Sequence, residues 1–232
     1  MGWRRREGGG AVAGAASRLR FAPSSNHLLV SSWDSGLRLY DADACELRME
    51  AKSEAALLDC CFQDEAVALT GGSDGSITRY DLHSGAQGTI GQHHEVVSCI
   101  EFSQITGYAA GSVDGVVAVK YFDRGTDGDM GYVFRCHPKS RDGRSSMVPI
   151  NSIGIHPFDK TFVTGDNEGY VIAWDAQSKK KLHEFPIYSG SVASIAFNHN
   201  GQIFAVASNS NYQESDKMVE EHQIFFEMKQ HF

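Results

Sequence analysis

Ten histidines and five cysteines give this 232-residue chain a stock of groups that could bind a metal or act as nucleophiles. Their spacing forms none of the arrangements such chemistry needs. A zinc hydrolase wants two histidines one helical turn apart with a glutamate beside the first, and no His-Glu-x-x-His occurs. No Gly-Lys-Ser phosphate loop is present either. Cys45, Cys60, Cys61, Cys99 and Cys136 are odd in number and contain no Cys-x-x-Cys pair, which argues against a disulfide framework and a zinc site, and for a reducing compartment. The expectation is a chain that is not an enzyme, with no cofactor and no metal.

What does recur at fixed spacing is acidic. Asp34, Asp74 and Asp114 lie 40 residues apart, as do Asp41 and Asp81. An aspartate at a tight turn accepts hydrogen bonds from backbone N–H groups two residues on, so these acids first suggest turns. The slot just before the turn acid holds Trp33, then Ser73 and Val113, with Asn167 before Glu168 in a fourth copy. The fold therefore needs no aromatic there. A tryptophan at the mouth of a turn is expected to be exposed, where it would serve as an anchor for a protein partner.

The elements that carry these residues follow from a repeat. Leu29 to Asp41 (LVSSWDSGLRLYD) aligns with Leu69 to Asp81 (LTGGSDGSITRYD), Ala109 to Asp123 (AAGSVDGVVAVKYFD) and Val163 to Asp175 (VTGDNEGYVIAWD). Each copy reads as strand, turn, alternating strand, aromatic-Asp. A further short strand precedes each copy, near 19–21, 58–62, 97–102 and 152–155, and a fifth start lies near 193–197. A period of 40 is the length of a propeller blade. The fifth unit reads as an apolar run, Ile203 to Ala207, a polar and mobile stretch from Ser210 to Glu221, and a third strand at Ile224 to Phe226. Lys179 to Lys181 and Pro138 to Ser146 read as solvated loops, and His93 and His94 as structural residues.

Composition agrees with a globular chain: 41% of residues are apolar and 22% charged. No apolar run of 18 residues exists, so no membrane span is expected. The formal charge of −8 argues against duplex nucleic acid as the main partner.

Aromatic-Asp ends at this period look like WD repeats, Trp174-Asp175 being the literal dipeptide. LLVSSWDSGLRLYD at Leu28 to Asp41, LDCCF at Leu58 to Phe62, YVFRCH at Tyr132 to His137, PINS at Pro149 to Ser152 and SVASIAF at Ser191 to Phe197 narrow this. Together they resemble the WD-repeat mitotic spindle checkpoint family called budding uninhibited by benzimidazole three, in a shortened, plant-like form. The resemblance implies an all-β, WD-repeat β-propeller. Family members have seven blades; about five are expected here, in an open arc rather than a closed ring. The seam is expected at 104–106, within a hybrid blade near 96–123. Residues 1–16 are expected as a flexible segment, 17–226 as one propeller domain and 227–232 as a tail.

The same resemblance implies a non-enzymatic scaffold of the spindle assembly checkpoint that binds GLEBS-type segments of checkpoint kinases and acts at kinetochores, in nucleus and cytoplasm. Trp33 matches the family tryptophan that grips the segment, and Asp114 takes the place of a glutamate on the same face. The family reads a phosphorylated kinetochore scaffold with basic residues; Val116 and Pro138 stand in two of those places, so phosphate reading is expected to be lost. Two alternatives are a messenger-RNA export factor of the related GLEBS-binding type and a ubiquitin-ligase substrate receptor. The receptor's Trp-Asp-x-Arg signal is incomplete, since Ala176 and Gln177 follow Trp174-Asp175.

Overall fold

Runs of five to eight residues that alternate apolar and polar, each bounded by Gly, Asp, Asn or Ser, bury one or both faces as strands and turn back on themselves. A computed structural model of the chain describes residues 15–121, 130–136, 148–214 and 217–228. All its regular structure is antiparallel β, and no helix occurs among the described residues.

The first sheet comprises β1 (Ala16–Phe21), β2 (His27–Ser32), β3 (Gly36–Asp41) and β4 (Glu46–Lys52), paired in that order. The second holds β5 (Leu57–Asp64), β6 (Val67–Gly72), β7 (Ser76–Asp81) and β8 (Gln87–Gln92). The third holds β9 (Val97–Ser103), β10 (Gly107–Ser112), β11 (Val116–Tyr121) and β12 (Met130–Arg135). The fourth holds β13 (Ile150–Ile155), β14 (Thr161–Asp166), β15 (Val171–Asp175) and β16 (Lys180–Glu184). The fifth has three strands, β17 (Ser191–Phe197), β18 (Ile203–Glu214) and β19 (Lys217–Met228). The five expected first strands are thus β1, β5, β9, β13 and β17. The fold is an all-β WD-repeat propeller type shortened to five sheets.

The chain divides into two compact units, one up to Val97 and one from Ser98. In the first, Leu29, Leu37 and Leu39 of the first sheet pack with Cys60, Phe62, Ala68 and Tyr80 of the second. In the other unit, Ala109, Val117 and Val119 of the third sheet pack with Ile150, Ile153 and Phe162 of the fourth. Val163, Val171 and Ala173 of the fourth then pack with Ile195, Phe204 and Val206 of the fifth. Because side chains alternate across a pleated strand, the fourth sheet can pack one face on the third sheet and the other on the fifth. Each buried aliphatic contributes about 1.5–3 kcal/mol. Gly111 permits close approach, because a Cβ there would meet Ile150 Cγ2 at 2.7 Å and Cys99 Sγ at 2.9 Å.

Two expectations are corrected. The stretch from Ser210 to Glu221 is not a loop: the β18–β19 ladder runs on from Ser208 opposite Gln223 to Glu214 opposite Lys217. Once the apolar ends are in register, each further backbone pair adds hydrogen bonds without needing apolar side chains. Lys180 and Lys181 open β16 rather than sitting in a loop, opposite Asp175 and Trp174. Residues 138–146, the other expected loop, lie outside the described residues.

Candidate partner-binding turn

The turn between β2 and β3 carries Trp33, whose backbone N–H donates to the Ala15 carbonyl at 3.0 Å. The side chain is 56% exposed, as its position at the turn mouth predicts. The turn acid beside it staples the hairpin: Asp34 Oδ1 accepts from the Gly36 N–H at 3.0 Å and from the Ser32 hydroxyl. Ser35 takes the left-handed conformation, with φ of 67°, where the next two sheets place Gly75 (81°) and Gly115 (80°).

Under this turn lies a side chain that the repeat pattern did not single out. Arg38 is only 5% exposed and grips Asp34 with both ends of its guanidinium, Nη2 to Oδ2 at 2.6 Å and Nη1 to Oδ1 at 3.1 Å. It also donates to Ser32 Oγ at 2.9 Å and pairs with Glu50 Oε1 at 2.8 Å. Lys52 closes the network, 3.4 Å from Asp34 Oδ2 and 3.5 Å from Glu50 Oε1. The hydrogen bonds from Arg38 and then Ser32 hold the Asp34 carboxyl far below the ordinary carboxylate range, against the opposing effect of burial. Asp34 in turn raises the Arg38 pKa. Two acids and two bases make the network neutral, and the bidentate pair fixes the turn rigidly. A signal for it existed in the sequence: the slot that holds Arg38 holds Thr78, Ala118 and Ile172 in the other copies.

The other turns use the same device with other partners. Asp74 Oδ1 accepts from the Ser76 N–H at 3.0 Å and hydroxyl at 2.7 Å, which lowers its pKa although burial opposes this. Asp114 accepts from Ser112 Oγ at 2.5 Å and lies 3.5 Å from Arg135 Nη2. In the fourth sheet the staple is not Glu168 but Asp166, whose Oδ1 accepts from the N–H groups of Glu168 at 2.8 Å and Tyr170 at 2.9 Å. Val116 follows Gly115 at the start of β11, directly opposite Arg135 of β12. Arg135 is therefore a cation beside Val116. Pro138 lies outside the described residues.

Burial pushes the Cys60 and Cys136 thiols up to about 12, so neither is a thiolate at neutral pH. His93 is buried, its backbone N–H donating to the Gly75 carbonyl at 2.8 Å, while His94 is exposed. One motif passed over in the sequence is Gly71-Gly72-Ser73-Asp74-Gly75, which spells Gly-x-Ser-x-Gly. It forms the β6–β7 hairpin turn rather than a strand-to-helix elbow, so it does not lift Ser73 as a nucleophile. Among the described residues no three His, Cys, Asp or Glu side chains are placed to hold a metal ion, and no helix is long and apolar enough to cross a membrane.

The WD domain, G-beta repeat family matches residues 10–41, the segment that carries Trp33 and its turn. Over 299 aligned residues the chain is 38% identical to mitotic checkpoint protein BUB3.3 of Arabidopsis thaliana, covering 92% of this chain and 95% of the relative. Mitotic checkpoint protein BUB3.1 of the same plant is 29% identical, with 90% and 88% covered. Since 92% of 232 residues is about 213, about 86 of the 299 aligned positions have no counterpart here, which is two blades of some 40 residues. The mRNA export factor GLE2 of Chaetomium thermophilum is 37% identical, but over 48% of this chain and 31% of that protein. With 38% identity to a relative of which 95% is spanned by the alignment, the chain belongs to the BUB3 family of WD-repeat mitotic checkpoint proteins.

Proposed function

We propose that this chain is a non-enzymatic scaffold of the spindle assembly checkpoint that grips GLEBS-type segments of checkpoint kinases on the turn carrying Trp33, and that it acts at kinetochores in the nucleus, with a cytoplasmic pool. The observation that carries this reading is a large aromatic, more than half exposed, on a turn that a buried guanidinium locks in place. An anchor held in its binding conformation loses little entropy when a partner covers it. Asp114 is the second proposed contact, offering a carboxylate that Ser112 and Arg135 orient. Val116 supplies no hydrogen-bond donor for a phosphate, so reading of a phosphorylated kinetochore peptide is reduced to what Arg135 and neighbours can give.

Calorimetry with a synthetic GLEBS peptide tests the reading. Trp33→Ala should weaken binding by about 2–4 kcal/mol, the range of an interface hot spot. The melt should be almost unchanged, because Ser73, Val113 and Asn167 fill the same slot in other sheets. A large fall in stability with binding intact would make Trp33 a structural residue and remove the proposed site.

A further inference from the structure

In the three sheet junctions described above, the face a sheet turns to its predecessor, its leading face, packs on the trailing face of the sheet before. The register identifies equivalent positions. Leu19 and Phe21 on β1 lie opposite Val30 and Leu28, as Cys60 and Phe62 lie opposite Thr70 and Ala68, and as Ile195 and Phe197 lie opposite Val206 and Phe204. Cys60, Phe62 and Ile195 are buried on the sheet before them. Leu19 is 58% and Phe21 65% exposed.

The fifth sheet shows the converse on its trailing face. Ala205 pairs with Phe226 and Ala207 with Ile224, in the register that joins Leu29 to Leu39, Ser31 to Leu37, Val163 to Ala173 and Gly165 to Val171. Leu37, Leu39, Val171 and Ala173 are core residues. Ile224 and Phe226, in the same slots, are 67% and 71% exposed, and Met228 continues the stripe. Among the described residues, the first sheet thus has an exposed leading face and the fifth an exposed trailing face. Both are apolar at the compared positions; the leading face of the first sheet also carries Arg38, opposite Val30 in the slot that holds Phe225 in the fifth sheet, where it is buried and paired with Asp34 and Glu50.

We propose that these two faces bind each other between copies of this chain, so that the first sheet of one copy docks on the fifth sheet of another. The inner junctions show what each face is shaped to meet: a leading face packs on a trailing face of the same repeat. A second copy supplies that surface with matching spacing. The contact is head-to-tail, so each copy can make one junction through its first sheet and one through its fifth. The exposed large side chains amount to roughly 240 Å² of apolar surface on the first sheet and roughly 400 Å² on the fifth, the size of the largest apolar patch on an ordinary chain, which is often functional. The sum over two partners lies below the ~1,200 Å² of a small stable interface, so association should be concentration-dependent and weak, at micromolar levels.

Light scattering of the full chain from about 1 to about 100 µM is the test, the window set by that interface size. The mass should rise with concentration above the 25.4 kDa of one chain. Phe21→Glu destroys the leading face and Phe226→Glu the trailing face, and each variant alone should remain a single chain. Mixed together they still hold one intact leading and one intact trailing face between them. The mixture should form a one-to-one dimer, twice 25.4 kDa, and grow no further. Phe21→Ser and Ile224→Ser replace them if either Glu variant lacks a cooperative melt. A wild-type chain that stays single at the highest concentration overturns the proposal. So does assembly by either variant alone, or a mixture that fails to pair. No peptide is present, so the outcome is independent of the GLEBS reading.

Discussion

Replacing Arg38 by methionine tests whether the charge network beneath Trp33 holds the turn. The substitution keeps the length of the stem and removes the guanidinium, leaving the Asp34 carboxylate without its bidentate partner and Glu50 with Lys52 alone. Breaking a fully buried pair by removing one member costs about 3–5 kcal/mol. Here Arg38 is buried, but the Glu50 side chain is 39% exposed and Lys52 can swing toward Asp34, so about 2 kcal/mol is expected at pH 7. The pH dependence has a definite sign. Asp34 has a depressed carboxyl pKa in the folded chain, so its contribution is present above the unfolded pKa near 3.9 and is lost as pH falls. At pH 3 the unfolded carboxyl is largely protonated while the folded one is still ionised. The wild-type advantage should therefore shrink by at most about 1 kcal/mol between pH 7 and pH 3, less where solvent screens the pair. Urea unfolding of both chains at the two pH values, with Asp34→Asn completing a double-mutant cycle, gives the numbers. A cost below about 0.5 kcal/mol at pH 7, the size of an ordinary surface substitution, would refute the argument that this network fixes the turn.

Three further outcomes follow from the same geometry. Ser35→Gly should stabilise the chain by about 0.5–1 kcal/mol in thermal unfolding, since a φ of 67° strains a serine and suits glycine. Gly111→Ala should cost about 1–3 kcal/mol in the same measurement, because its Cβ would press on Ile150 and Cys99 inside the junction of third and fourth sheets. Phosphorylated and unphosphorylated kinetochore-scaffold peptides should bind almost equally weakly by calorimetry, and Val116→Arg with Pro138→Arg should restore a phosphate preference. A preference beyond about 1.4 kcal/mol in the unmodified chain, tenfold in affinity, would show that Arg135 or another cation has taken over the phosphate.

The repeat was legible because strand alternation and turn acids are local signals. Asp34, Asp74 and Asp114 at their fixed spacing located three hairpins, and the apolar pairs before each copy located the first strands. The fourth turn was misread in detail because two acids, Asp166 and Glu168, stand close together, and only backbone geometry decides which one receives the N–H groups. The β18–β19 extension was missed because its pairing is a property of the ladder, while composition between Ser210 and Glu221 is polar. Trp33 could be singled out from the repeats; the depth of Arg38 could not, since a lone arginine in a strand reads as a surface residue until its carboxylate partners are found in space.

The expected seam, Gln104 to Thr106, falls in the turn between Ser103 at the end of β9 and Gly107 at the start of β10. Gly107 has a φ of 82°, and a Cβ there would collide with the Lys120 carbonyl. A cut and rejoining at this point would leave β9 and the strands β10 to β12 each whole. A rejoining at such a turn would change the number of blades without cutting through any strand.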